Sequence, residues 1–256
     1  PVSAENILPQ DNSGFQIDAG IRVQGSDWQR PRTLPTHKFS YRLYFRGDYG
    51  KSRLEYPLFP LTPVQSFDQV VVRAGYNDAN NPFIRDETVR RLSHDMGQVA
   101  SHGGFFLVFT NGGYAGYFNP TERVHSGMMQ SHLGGGSEWD VIAPSFATSA
   151  EGLGVVDGDR NAFNIFMTNV WSGSAIRPVT NQAHYLRIAA QLDLANFADY
   201  CLLNAYAAMG DWPANNWRAA RERGNTNALW RFVAWDCEWG NGFDAHDINT
   251  DSFRQN

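Results

Sequence analysis

The stretch "GDWPANNWRAARERGNTNALWRFVAWD", residues 210–236, decides how this chain is read. Two strand-like runs flank the turn signal "GNTN", so residues 215–236 are expected to form a β-hairpin. If the turn centres on Thr226, paired residues have numbers summing to 452, which sets Asn216 opposite Asp236. Cross-strand neighbours of that kind have Cβ atoms about 5 Å apart. Asp211, in the loop just before the first strand, can approach the same point.

Two oxygen donors facing each other at such a spacing suit a hard cation, Mg²⁺ or Mn²⁺. A third acid beside them can orient or deprotonate an attacking hydroxyl. The order is that of protein-kinase-type phosphoryl transfer: an Asp, an Asn five residues later, then a metal-binding Asp after a hairpin. Asp and Asn are also the commonest turn residues, and D-x-x-x-x-N recurs by chance in many chains. The hairpin and the later acid add the specificity that the short motif lacks. Glu238, read as lying on the same strand face as Asp236, either joins the metal shell or pairs with an Arg.

Composition narrows the class. Over 256 residues, 42% are hydrophobic, 14% aromatic and only 18% charged, which describes a packed globular protein. A formal net charge of −5 without any basic run excludes a phosphate backbone as the main partner, so no nucleic acid is expected. The longest wholly apolar run, "FFLVF" (105–109), is far too short for a membrane span. Pro1 in place of Met, and an end at "DSFRQN", suggest a piece of a longer protein. Cys201 and Cys237 have no metal-type spacing and read as packing residues, their pairing left open. None of the seven His stands in a metal-ligand spacing, and surface or capping roles are expected for all.

Working outward, residues 15–25, 38–46 and 66–75 alternate as strands, the first two joined by a Pro-containing connector. In "KFSYRLYFR" (38–46), Lys38, Ser40, Arg42, Tyr44 and Arg46 share one face, and Phe39, Tyr41, Leu43 and Phe45 the other. One side is thus packed and the other positively charged. After the turn signals "NDANNP", residues 85–97 read as a helix with an acidic first turn and Gly97 as its stop. Residues 105–120 read as a hairpin turning at "NGG". Helical patterns follow at about 122–132, 159–170 and 181–208, the last interrupted near Asp193. The expectation is an α+β protein with a β-rich first part (about 15–120) and a mainly helical second part (about 121–256).

The chain resembles the CotH-type kinases, atypical secreted kinases named for a spore-coat protein. The likeness rests on "GIRVQG", "HKFSYRLYFRGDYG", "YPLF", "IRDETVRRLSHDMG" and "NGGYAGYFNPTERV". It continues through "VDGD", "LANFADYCLLNAYAAMGDWPANNW" and "LWRFVAWDCEWG". These ordered matches run from about Gly20 to the end, and they imply a single bilobal kinase-like domain, its second lobe incomplete. They also imply ATP-dependent phosphorylation of secreted or coat proteins, at a cell surface, outside the cell or in the spore coat.

By this resemblance Asp211 looks like the catalytic Asp, Asn216 and Asp236 like the metal ligands, and Lys38 like the lysine that holds ATP phosphates. Lys38 otherwise reads as a solvated strand-face lysine. Arg42 and Arg46 share its face and can assist. Glu87 either pairs with Lys38 or complements its helix N-terminus, worth about 0.5 kcal/mol. Glu122 either accepts ribose hydroxyls or caps helix 122–132. Two departures stand out: there is no G-x-G-x-x-G, only Gly25 to begin a phosphate-covering loop, and no helices follow the metal Asp. Two rivals are kept: a glycoside hydrolase using Asp211 with Asp236 or Glu238, and a non-catalytic coat or surface module.

Overall fold

A computed structural model describes residues 1–11, 13–25, 38–75, 84–144, 154–172 and 175–240. The connector expected between the first two strands, the "NDANNP" turn, the loop beyond Gly25 and the terminal "DSFRQN" lie outside these residues. Two compact units divide the chain: residues 1–87 with 101–123, and residues 88–100 with 124–256.

The first unit is built on a six-stranded antiparallel sheet in the order β1-β2-β3-β6-β8-β7. Its strands are β1 (Val2–Leu8), β2 (Ser13–Gln24), β3 (Ser40–Tyr44), β6 (Gln69–Arg73), β7 (Phe106–Thr110) and β8 (Gly113–Thr121). The short pair β4 (Leu54–Glu55) and β5 (Ser66–Phe67) stands apart from it. The β7–β8 hairpin turns at Asn111 and Gly112, both at positive φ (50° and 79°), as a tight primed turn requires. Registers Ile21↔Leu43 and Leu43↔Val70 put the apolar positions on one face. There Ile17, Ala19, Phe45 and Val70 bury against Leu54, Phe59 and Phe67 from the strand and loop segments that follow β3. The alternation read from "KFSYRLYFR" is therefore the real pleat over "SYRLY", while Lys38 and Phe39 precede β3. The opposite face carries Arg22, Arg42 and Tyr44.

Helix α1 (Arg85–Asp95) begins in the first unit and continues in the second. Gly97, at φ 78°, ends it, its N–H donating to the His94 carbonyl at 2.8 Å.

The second unit differs from the mainly helical expectation. Helices α2 (Ser126–Leu133), α3 (Asn161–Met167), α4 (Gln182–Ala189) and α5 (Leu194–Tyr206) accompany a four-stranded sheet in the order β10-β9-β13-β14. Its strands are β9 (Trp139–Ile142), β10 (Val155–Asp157), β13 (Trp217–Glu222) and β14 (Arg231–Ala234). A two-residue pair, β11 (Trp171–Ser172) with β12 (Ala175–Ile176), completes the strands. All four residues of β9 are buried, so it shows none of the alternation by which strands are recognised. The break expected near Asp193 is real: its carboxylate accepts from Asn196 N–H at 3.1 Å and caps α5.

Trp212, Trp217, Trp230 and Trp235 anchor the hairpin region in three hydrophobic clusters. Cys237 is buried in one of them and Cys201 packs against it, both free thiols. Two histidines expected in surface or capping roles are buried: His125, at the N-cap position of α2 without a side-chain cap bond, and His184, whose Nε2 bonds the Asn169 carbonyl at 2.6 Å.

Candidate active site

The hairpin of β13 and β14 forms, with a register one residue away from the expected one. Trp217 pairs Ala234 and Ala220 pairs Arg231, so paired numbers sum to 451 and Asn216 falls opposite Trp235. A slip of one residue turns side chains to opposite faces. The two residues nevertheless meet, because both leave the ladder in left-handed conformations, Asn216 at φ 54° and Asp236 at φ 57°. Asn216 Nδ2 donates to Asp211 Oδ2 at 2.5 Å and to the main-chain carbonyl of Asp236 at 3.1 Å. One amide thereby ties together the two segments that the sequence places 25 residues apart.

With Ala208 (φ 48°), these are three of the five non-glycine residues at positive φ among the described residues. Such conformations cost about 1 kcal/mol or more each and persist where the surroundings over-determine them. The anchors are visible. Met209 and Trp212 are buried on either side of Asp211, and the Trp212 ring meets Tyr200 edge-on at 6.1 Å. Gly210 N–H donates to the Trp239 carbonyl at 3.0 Å, fastening the loop to the segment after Asp236.

Glu238 is not on a strand face with Asp236. β14 ends at Ala234, and Cys237–Trp239 form a 3₁₀ turn in which Glu238 is buried. Burial, the Asp236 charge and the Glu238 charge push the Asp211 carboxyl up to about 7. Its Oδ1 is buried with no hydrogen-bond partner. Such an oxygen needs a proton, a hydroxyl or a cation to offset its desolvation. The charges of Asp236 and Glu238 both act on Asp211, and the Asn216 bonds described both use Nδ2, not Oδ1. This all-oxygen donor set fits a hard divalent cation.

In the first unit, Lys38 is half-buried, and burial lowers its ammonium below the usual lysine range. Its Nζ donates to the Tyr117 carbonyl at 2.6 Å and lies 4.8 Å from the Phe118 ring centroid. Glu87 is buried and accepts from Asn119 Nδ2 at 3.1 Å, while the same nitrogen donates to Gly104 O at 2.9 Å. Lys38 and Glu87 thus reach neighbouring residues of β8. Beside Glu87, Asp86 pairs with buried Arg73 at 3.1 Å. The acidic first turn of α1 is spent on tertiary contacts, beyond any interaction with the helix dipole.

Arg42, expected to share a face with Lys38, is buried in β3, its guanidinium 5.1 Å from the Tyr44 ring centroid, whereas Lys38 precedes that strand. Glu122 is buried and accepts from His102 N–H at 2.9 Å, while its own N–H donates to the His102 carbonyl at 2.9 Å. It does not cap α2, which starts at Ser126; Asp157 bonds the Ser126 N–H there at 2.7 Å.

Asp211, Asn216 and Asp236, set five residues and one hairpin apart, have the spacing of the catalytic Asp and the metal-binding Asn and Asp of kinases. The family profile described as CotH kinase protein matches residues 21–256, and the chain belongs to that family. No curated protein matches the chain. Among the described residues no helix is long and apolar enough to cross a membrane.

Proposed function

We propose that this protein is an ATP-dependent protein phosphotransferase acting on a hydroxyl of a secreted or coat protein. The observation that carries the reading is the Asp211–Asn216–Asp236 cluster, a buried carboxylate joined through one amide to the acid-bearing end of a hairpin. Family membership supports the reaction class.

Asn216 and Asp236 are the residues that would hold Mg²⁺, whose chemistry is to neutralise charge on the phosphates. Asp211 receives the acceptor hydroxyl. Its Oδ2 is fixed by Asn216, and its unpartnered Oδ1 is the atom suited to take the hydroxyl proton as the oxygen attacks the γ-phosphorus and ADP leaves. A carboxyl poised at about 7 is matched to proton transfer near neutral pH. Lys38, with an apolar ring beneath its ammonium and Glu87 bonded to the next strand residue but one, is the candidate phosphate holder.

The test is transfer of label from γ-labelled ATP to secreted or coat proteins, comparing the parent with Asp211→Ala. Loss of at least about 10²-fold in the transfer rate is expected of a general base. Equal transfer by the variant refutes the assignment. Release of labelled sugar from oligosaccharides, in place of label transfer, turns the same carboxylates to glycoside hydrolysis.

A further inference from the structure

The polar face of the first-unit sheet holds a second concentration of charge, in which Arg42 and Arg46, expected from the sequence to assist Lys38, gather instead on Tyr44. Arg22 and Arg42 are directly paired across β2 and β3, on the same face as Tyr44. The guanidinium carbons of Arg22, Arg42 and Arg46 lie 5.5, 5.1 and 5.0 Å from the centroid of that one tyrosine ring. Arg42 is 3% exposed, and its Nε is buried with no hydrogen-bond partner. Among the described residues none of the three guanidiniums pairs with a carboxylate. The Gln69 side chain opposite Tyr44 also has a buried, unpartnered oxygen.

Three like charges around one ring repel each other, and a chain of net charge −5 has acids to spare for them. A buried guanidinium without an anion is the costly half of a pair. The ring itself is held by design of the backbone. Gly20 pairs with Tyr44 across the strands, and a Cβ there would stand 2.5 Å from the Tyr49 ring, so Tyr49 packs down onto the same face. Burial pushes the Tyr44 phenol up, against the lowering field of Arg22, and keeps it a neutral hydroxyl donor.

We infer that Arg22, Arg42 and Arg46, gathered on Tyr44, form a binding site for a tetrahedral oxyanion, a phosphate group. Guanidinium forks match phosphate geometry, and a phenol adds a neutral donor. The site is separate from the position of Lys38. The Lys38 ammonium turns to the Tyr117 carbonyl and the Phe118 ring of β8, whereas the Arg42 guanidinium turns to Tyr44. The inference therefore stands or falls independently of the nucleotide role given to Lys38. The phosphate comes either from a free inorganic anion or from the tail of a nucleotide, and the two sources separate experimentally.

The experiment is titration calorimetry on the full chain with inorganic phosphate, pyrophosphate and Mg²⁺–ATP, at constant ionic strength set with chloride. Parent, Arg22→Gln, Arg42→Gln and, as a control for lost positive charge, exposed Lys51→Met are compared. The expected result is saturable binding of phosphate or pyrophosphate by the parent. The Kd rises by at least about 10-fold in both arginine variants and stays within about twofold of the parent in Lys51→Met. Arg22 is the safer substitution should buried Arg42 prove necessary for folding. Competition between pyrophosphate and Mg²⁺–ATP identifies the nucleotide tail as the source, and its absence identifies a free anion. The inference is overturned if neither phosphate nor pyrophosphate binds the parent. It is equally overturned if the arginine variants bind as the parent does, or if Lys51→Met loses the anion to the same degree.

Discussion

Replacing Asp211 with Asn tests the electrostatics of the cluster without disturbing its shape. The amide keeps an oxygen to accept from Asn216 Nδ2, and it removes the one carboxyl that burial, Asp236 and Glu238 hold at about 7 instead of 3.8. An acid whose folded value is raised binds its proton more tightly in the native state. Its stabilising contribution is complete below the unfolded value, near pH 4, and is lost as pH rises through the folded value near 7. A shift of about three units corresponds to about 4 kcal/mol across that window, of which about 2 kcal/mol falls between pH 5 and pH 7. Urea unfolding of parent and Asp211→Asn, measured in steps from pH 5 to pH 8, isolates it, because groups common to both cancel in the difference. The parent should lose stability relative to the variant as pH rises, levelling above pH 7. Added Mg²⁺ should flatten the slope, since an opposite charge favours the ionised carboxyl. A parent–variant difference that stays constant within about 0.5 kcal/mol over the whole range refutes the reasoning.

Two further outcomes concern the first unit. Asp86→Ala removes the carboxylate 3.1 Å from buried Arg73 and should cost about 1–3 kcal/mol in chemical denaturation; a loss below about 0.5 kcal/mol contradicts the pairing. Gly20→Ala should cost about 1–3 kcal/mol by pushing a Cβ into the Tyr49 ring, and Tyr49→Ala in the same chain should relieve the clash, so additive losses in the double variant contradict the packing.

The strands and helices that show a clean period were legible in the sequence. The face shared by Arg42 and Tyr44 followed from alternation alone, and the acid-led helix and "NGG" hairpin followed from their end signals. β9 was hidden because all four of its residues are buried, leaving no polar beat. β1 was hidden because its inward positions include Ala4 and Asn6, a weak apolar signal. The hairpin carrying the candidate site was found, while its register was not. Trp230 leaves the ladder to bridge Leu192, its N–H donating to the Gln191 carbonyl at 2.7 Å, which shifts the pairing by one residue. Turn chemistry at "GNTN" carries no information about that tertiary pull. Asn216 and Asp236 meet through left-handed backbone, a possibility that their residue types permit and that strand arithmetic cannot express. The aim of the Arg42 side chain depended on where its neighbours bury, and Tyr44 decides it.

The most direct test of the central claim is calorimetric binding of Mg²⁺–ATP to the parent, Asp211→Ala and Asp236→Ala in parallel. In the proposed function Asp211 receives the acceptor hydroxyl, so its loss should leave the affinity within about threefold of the parent while label transfer collapses. In the same proposal Asp236 would hold the cation, so its loss should weaken Mg²⁺–ATP at least about 10-fold and leave the metal-free nucleotide little changed. Unaltered Mg²⁺–ATP binding by Asp236→Ala, or no nucleotide binding by the parent at all, contradicts the account.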